Sequence, residues 1–353
     1  LQRRKKPLLV SVITWIILGG NNMQTRRSLI AAAALAVAGA ALAPIDKANA
    51  QAYPSKPVRI ISDSAAGSSN DVIIRVVGEQ LGQLWGQQAL VVNHPGAGGG
   101  ISVGVAKQAA ADGYTLFMPA ASTFLAIRGA PGVSPNLPIE LPTDFLPIGL
   151  VMTQPMFIGV SHKLGVKTVP ELIALAKQKP GDISFAATGR GRITHVTMEL
   201  FQEMAGVKLT FVPYAGGPAA AMNDVTSGRV GIVLDGYPGV GGAIEGNLIQ
   251  GLAVTSDKRA PGFEQLPTVA ETLPGFRSGG WNVMLAPVGT PPDIVKKLGA
   301  DLKVVLARQE VISRFRQLGA IPGDLTPDQV IAFAKSEQDM WRPILTRLAQ
   351  EQK

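Results

Sequence analysis

Val58-Arg59-Ile60-Ile61 runs into Asp63-Ser64-Ala65-Ala66-Gly67-Ser68-Ser69-Asn70, and residues 71–85 then carry apolar side chains at helical spacing. The plan is strand, small polar loop, helix. It recurs further on, where Ile183-Ser184-Phe185-Ala186 leads into Ala187-Thr188-Gly189-Arg190-Gly191-Arg192 and a predicted helix over 193–205. A loop of this kind leaves backbone N–H groups unpaired at a helix start, where the dipole is positive, and so seats an anion. Two such seats in two parts of the chain predict a cleft that grips an acid.

Working outward, strands alternate with helices, the pattern of an α/β protein with largely parallel sheets. Strands are expected at 89–93 and 114–118, a helix at 101–110, and a Pro-rich irregular stretch at 131–147. Strands at 148–152 and 157–161 follow. Thr168-Val169-Pro170-Glu171 reads as a capping box with proline near the helix start, and Pro180-Gly181 ends that helix. Strands at 183–187, 209–212 and 230–234 alternate with helices at 193–205 and 218–227. A strand at 252–255 leads on, and a strand at 280–285 with helices at 292–307 and 326–349 completes the chain.

The chain has 353 residues, enough for two or three domains with real cores, and a formal net charge of +8. Much of that charge is local. Seven of the basic residues (Arg3, Arg4, Lys5, Lys6, Arg26, Arg27, Lys47) and only one acid, Asp46, fall within the first 50 positions. Setting these aside leaves 26 basic and 24 acidic residues, a net of +2. No basic stripe with interleaved aromatics remains, so no nucleic-acid partner is expected.

That basic start reads as an export leader over 1–52. Met23-Gln24-Thr25-Arg26-Arg27-Ser28-Leu29-Ile30 forms a charged n-region, 29–42 an Ala-rich apolar run, and Ala48-Asn49-Ala50 and Ala50-Gln51-Ala52 are small-residue cleavage sites. Arg26-Arg27 fits a twin-arginine signal, and an ordinary secretory signal tolerates the same pair. Upstream, the apolar piece 7–18 is shorter than the ~18–20 residues a membrane span needs. True initiation is therefore expected at Met23, with a mature protein beginning near Gln51 or Tyr53.

There is no cysteine. Disulfides, thiolate metal sites, a cysteine nucleophile and a lipid-attachment cysteine are thereby excluded, and a periplasmic location without a lipid anchor is expected. His94, His162 and His195 show no metal spacing, so neither a metal nor another cofactor is expected. Gly100-Ile101-Ser102-Val103-Gly104 satisfies G-x-S-x-G and raises the alternative of an exported serine hydrolase using Ser102. A nucleophile elbow needs a sharp turn directly off a strand, whereas Gly96 to Gly99 intervene here. Gly96-Ala97-Gly98 also begins like a dinucleotide fingerprint, but Ile101 stands at the third glycine position. The chain offers binding groups and no organised nucleophile, base or metal.

Tyr53-Pro54-Ser55-Lys56-Pro57-Val58-Arg59-Ile60-Ile61 resembles the mature start of the Bug receptors, the periplasmic solute-binding proteins of tripartite tricarboxylate transporters. So do Asn93-His94-Pro95-Gly96-Ala97-Gly98-Gly99, Ala111-Asp112-Gly113-Tyr114-Thr115-Leu116, Val212-Pro213-Tyr214-Ala215-Gly216, Leu252-Ala253-Val254-Thr255-Ser256 and Leu285-Ala286-Pro287-Val288-Gly289-Thr290-Pro291. They occur in the family's order along essentially the whole mature chain.

The resemblance implies a two-lobed type II periplasmic-binding-protein fold, a Venus flytrap with a hinge. Lobe 1 would comprise 53–148 and 256–353, and lobe 2 would comprise 149–255. It implies a monomeric receptor that holds a small organic acid or amino acid between the lobes. Its partners would be the permease subunits of a tripartite transporter, or a sensor kinase.

In the family the first strand-to-helix loop is usually Pro-Gly-Gly-Ser-Thr-Asp-like and holds a ligand carboxylate, often through ordered water. The matching positions here are Ala66-Gly67-Ser68-Ser69-Asn70-Asp71, with the Pro and first Gly replaced. Ala120-Ala121-Ser122-Thr123 matches a Ser/Thr loop facing the cleft. A Ser-Gly-Asn-Gly-Thr-like loop becomes Thr188-Gly189-Arg190-Gly191-Arg192-Ile193-Thr194-His195, and the family's Asp after the 230–234 strand is Asp235.

Each of these residues also has a plain structural reading. Ser68, Ser69, Asn70 and Asp71 cap a helix as readily as they touch a ligand, and Thr188 and Gly189 share that ambiguity. Arg190 offers a guanidinium fork to a second carboxylate or lies solvated on the loop, and Arg192 has the same two options. Asp235 holds a ligand ammonium or hydroxyl, or caps the segment after Pro238. Tyr214 donates its phenol or packs as an aromatic.

Overall fold

The structure, a computed structural model, describes residues 53–129, 133–214 and 216–351. The expected leader, its initiation at Met23, the apolar piece 7–18 and the cleavage sites lie outside the described residues. From Pro54 onward the chain forms one compact unit.

Two sheets organise it. The first takes β1 (Val58–Ser62), β2 (Ala89–Asn93), β3 (Thr115–Phe117), β4 (Phe145–Gln154), β10 (Gly280–Pro287) and β11 (Ile321–Pro322) in the order β11-β4-β10-β3-β1-β2. The second takes β5 (Phe157–Val160), β6 (Ser184–Ala187), β7 (Thr210–Pro213), β8 (Ile232–Asp235) and β9 (Gln250–Val254) in the order β7-β6-β8-β5-β9. Strand β4 runs through residue 149 and stays in the first sheet to Gln154, so the chain changes sheets at 155–156.

Both sheets are mixed, a correction to the largely parallel expectation. β1 is parallel to β2 and β3, and β6 to β7 and β8, but β10 is antiparallel to β3 and β4, and β5 to β8 and β9. A parallel neighbour needs a crossover helix, whereas β4 and β10 are separated in sequence by the whole second sheet, so no local connection dictates their direction.

The helices follow local rules. α1 (Ser69–Trp85) starts where the Ser68 hydroxyl accepts the Asp71 N–H and stops at Gly86 in the left-handed region, burying Ile73, Ile74, Val77 and Leu81 along one face. α2 (Gly100–Lys107) ends earlier than predicted. α3 (Val169–Gln178) is capped by Thr168, but Glu171 returns to the Lys167 N–H, one residue before the position a capping box requires. α4 (Ile193–Ala205) and α5 (Pro218–Ser227) match their predicted spans. α6 (Tyr237–Glu245) and α8 (Gln309–Gln317) were not foreseen. α7 (Pro292–Leu306) packs on β4 and α1, and α9 (Pro327–Gln350) lies against both β4 and α4, in contact with elements of each sheet.

Where the chain changes sheets it is laced to itself. The Thr255 hydroxyl accepts the Met156 N–H at 2.9 Å and donates to the Ser278 carbonyl at 2.9 Å, while backbone bonds join Thr255 to Met156 and Ser278 to Thr255. The two crossings therefore lie side by side. This is the hinge of a two-lobed fold.

Candidate functional site

The β1–α1 loop folds around two buried carboxylates. Asp63 accepts from the Ser64 hydroxyl at 3.0 Å and from the Ala120 N–H at 3.0 Å. Ser64 in turn accepts the Asn70 side-chain amide at 2.8 Å, so the loop is tied before any ligand arrives. Asp71 receives the Gly67 N–H at 2.8 Å, Arg75 Nε at 2.9 Å and Asn93 Nδ2 at 2.8 Å. Burial pushes Asp71 up, but the bonds from Arg75, Gly67 and Asn93 outweigh it and leave the carboxyl below its usual range.

The β6–α4 loop faces it. The Thr188 N–H donates to Thr194 Oγ1 at 3.1 Å, and the two threonine hydroxyls lie 3.0 Å apart. Helix α4 has no side-chain cap of its own at Arg192. Instead its Ile193 N–H donates to the Ser122 hydroxyl, 3.1 Å away on the β3 side. Arg192 reaches the same way, donating to Asp63 Oδ2 at 3.3 Å and to the Gly98 carbonyl at 3.0 Å. Arg190 instead sets its guanidinium over the Phe211 ring, 5.6 Å from the centroid.

His195 sits behind this loop, 1 % exposed. Its Nδ1 accepts the Gly191 N–H at 3.2 Å, so the proton of the neutral ring is on Nε2, 3.6 Å from Glu199. Burial, followed by the positive charges of Arg190 and Arg347, pushes its pKa down to about 4. His195 is thus a structural post of the loop, neutral over the physiological range.

Asp235 ends β8 and accepts the N–H of Gly236, whose carbonyl takes the Ser69 hydroxyl at 3.2 Å. Burial raises the Asp235 carboxyl to about 7, against the lowering pull of the Gly236 N–H, Ser69 and the Arg192 charge. It is a carboxyl poised between acceptor and donor.

These loops enclose one cavity of about 620 Å³ within the size range of small-molecule sites. Of the predicted site residues, Gly67, Ser68, Ser69, Asn70, Ser122, Thr188, Gly189, Arg190, Thr194 and Asp235 line it. Asp71, Thr123 and Tyr214 are not among its lining residues. Asp71 holds the loop from behind, the Thr123 hydroxyl donates to the Ala120 carbonyl, and the Tyr214 phenol donates to Asp224. Arg192, for which the sequence allows a ligand-facing or a solvated position, lines the cavity too, whereas Asp63, Gln154 and Asn282 line it and were missing from the predicted set. The last two were visible as single amides in otherwise apolar strands.

Ser102 is no nucleophile. It lies inside α2, fully buried, with its hydroxyl donating to the Gly99 carbonyl at 2.6 Å.

Gly99 is fixed by the same geometry. Its φ is +102°, and a Cβ there would fall 2.5 Å from Thr123 Cγ2 and 3.1 Å from Asp63 Oδ2. Gly99→Ala is expected to cost about 2–3 kcal/mol in chemical denaturation. An unchanged midpoint would mean that the turn is not packed this way in solution.

Comparison with known proteins agrees with this picture. Residues 73–349 match the family model described as "Tripartite tricarboxylate transporter family receptor". Protein BugT of Bordetella pertussis is 34% identical over 315 residues, spanning 88% of this chain and 94% of its own. The solved periplasmic binding protein BugD superposes with a TM-score of 0.75 at 32% identity, covering 84% of this chain and 98% of that one. R. palustris Rpa4515, solved with adipate, gives 0.78 at 29% identity over 84% and 98%.

Proposed function

Because the chain belongs to the tripartite tricarboxylate transporter receptor family, a family of extracytoplasmic solute-binding receptors and not of enzymes, we propose that it captures a small carboxylate-containing metabolite in the cavity between its sheets. It then delivers the ligand to the permease subunits of a tripartite transporter, from the periplasm, as a monomer. A sensor kinase is a further partner for the liganded form.

One observation carries this reading. Two loops from two different sheets, each at the start of a helix and rich in hydroxyl and N–H donors, meet at one cavity that also holds two arginines. Helix starts alone add only about 0.3–1 kcal/mol each, so affinity must come from several donors and from closure. The neighbour solved with adipate is consistent with an organic acid as the ligand class.

Closure follows from connectivity. The expected boundary at 148/149 moves to the sheet change at 155–156, because β4 stays in the first sheet to Gln154; the parts proposed to move are 53–154 with 256–353 on one side and 157–255 on the other, joined through the crossings laced by Thr255. A ligand touching both loops favours the closed arrangement by its differential affinity for that state.

The test is isothermal calorimetry against mono-, di- and tricarboxylates, amino acids and aromatic acids. Saturable binding of at least one acid, recovered chemically unchanged, is the expected result. Flat titrations throughout the panel, or an altered product, would remove the proposal.

A further inference from the structure

The cavity presents acceptors that the folded chain leaves without donors. Among the described residues, Asn70 Oδ1, Gln154 Oε1 and Asn282 Oδ1 are buried and have no hydrogen-bond partner. All three residues line the cavity. Asn282 is 0 % exposed and Gly280's neighbour across the ladder, Gln154, is 6 % exposed, so bulk water does not serve them. Native proteins rarely leave such groups unpaired, and a binding site is one place where they are kept.

The orientations of the Asn282 and Asn70 amides follow from their partners. Asn282 Nδ2 donates to the Pro119 carbonyl at 2.9 Å, and a carbonyl only accepts, so oxygen is the unmatched end. Ser64 spends its proton on Asp63 and therefore accepts from Asn70, which leaves the Asn70 oxygen unmatched as well. The Gln154 amide lies beside Gly236, where an added Cβ would fall 2.7 Å from Nε2 and 3.0 Å from Oε1, next in sequence to Asp235.

Strand register gathers them. β4 and β10 pair Gln154 with Gly280 and Met152 with Asn282, which places Gln154 and Asn282 on one face as diagonal neighbours, about 7–8 Å apart. The two arginines and the α4 start offer donors, whereas this side offers oxygens. A ligand made only of carboxylates would satisfy the first group and leave the second unmatched.

We propose that the ligand is a carboxylic acid that also bears a hydrogen-bond-donating substituent, amino or hydroxyl, and that Gln154 and Asn282 receive this donor. The proposal rests on the receptor reading above and narrows its ligand class. Asp235, which lines the same cavity and adjoins the Gly236 that lies against the Gln154 amide, is a further acceptor for either substituent.

Calorimetry on matched series tests it: succinate, malate and aspartate, then glutarate, 2-hydroxyglutarate and glutamate. In at least one series the substituted acid is expected to bind about tenfold or more tighter than the plain one, since a site built for a donor rejects the analogue lacking it. The amino and hydroxy arms identify which donor is used. Gln154→Met keeps the side chain's length and removes no hydrogen bond, and the preference ratio is expected to fall towards one; Asn282→Leu should lower it too.

Plain acids binding as well as or better than their substituted partners in both series would overturn this inference and leave the receptor reading standing. A preference that survives in Gln154→Met and Asn282→Leu would also overturn it. If none of the six acids binds, the inference fails, and the wider panel described above decides whether the receptor reading fails with it.

Discussion

Arg192→Ala is expected to lower stability by about 3 kcal/mol and to weaken carboxylate binding by about a hundredfold. The Asp63 side chain that it faces has no exposure at all, while Arg192 itself retains only 18 %. Removing the cation leaves a buried carboxylate with only the Ser64 hydroxyl and the Ala120 N–H as donors. The Gly98 carbonyl loses its donor in the same step. In thermal unfolding the loss should appear as a fall of about 5 °C or more.

Stability and binding separate in the double variant. Asp63→Asn in the Arg192→Ala background removes the uncompensated charge, and its amide oxygen accepts the Ala120 N–H in place of the carboxylate. Much of the stability should return. Affinity should not, because the guanidinium that reaches across the cavity is still missing. A melting temperature unmoved by Arg192→Ala would show that the bridge to Asp63 does not form in solution, and equal recovery of affinity in the double variant would show that Arg192 does not touch the ligand.

Which of two loop arginines crosses the cavity was not legible in the sequence. Arg190 and Arg192 are separated by one glycine, and it is the placement of Arg192 immediately before α4 that directs it at Asp63 while Arg190 turns to Phe211. The strand-loop-helix units were legible, because a short apolar run, a Gly/Ser loop and a capping serine are all local signals. Strand direction was not. The connection before β4 and the one between β9 and β10 are long and irregular, and periodicity reports which face a residue takes without reporting which way its strand runs.

The donor and acceptor sides of the cavity divide in the same manner. Ser68, Ser69, Thr188 and Thr194 announce themselves in loops or the first turn of a helix, where small polar residues are read as caps or contacts. Gln154 and Asn282 sit in largely apolar, buried strands, and only the β4–β10 register brings them to one face. Tyr214 lies on the other side of the same divide. Its position in a loop left both a ligand contact and a packed aromatic open, and in the structure its phenol donates to Asp224, ten residues on.

The stability of the unliganded protein is expected to change little between pH 4 and 6.5, because the shifted protons of His195 and Asp235 oppose each other there. His195 has a folded pKa of about 4 against an ordinary 6.5, so below pH 6.5 the unfolded chain takes up a proton that the native state refuses. Stability is therefore lost on acidification through this window, by about 3 kcal/mol in total. Asp235 has a folded pKa of about 7 against an ordinary 3.8, so the native state holds a proton that the unfolded chain has released. Its contribution falls as pH rises from 3.8 towards 7. Water in the cavity screens it on one side, which reduces its effect to about 2–3 kcal/mol.

Single variants uncover each term. Asp235→Asn removes the opposing group, and its urea-unfolding free energy should drop by about 2–3 kcal/mol more than the wild type between pH 6.5 and 4. His195→Asn keeps an acceptor for the Gly191 N–H and removes the titration, so its stability should rise on acidification by about 3 kcal/mol relative to wild type. Using differences from wild type cancels the exposed carboxylates, such as Glu271, held down to about 2 chiefly by the Arg259 hydrogen bonds. Three parallel pH profiles would show that neither group carries a shifted proton. Opposite slopes in the two variants would place a proton-holding acid in the cavity wall and a neutral base behind the β6–α4 loop, each set by the packing around it.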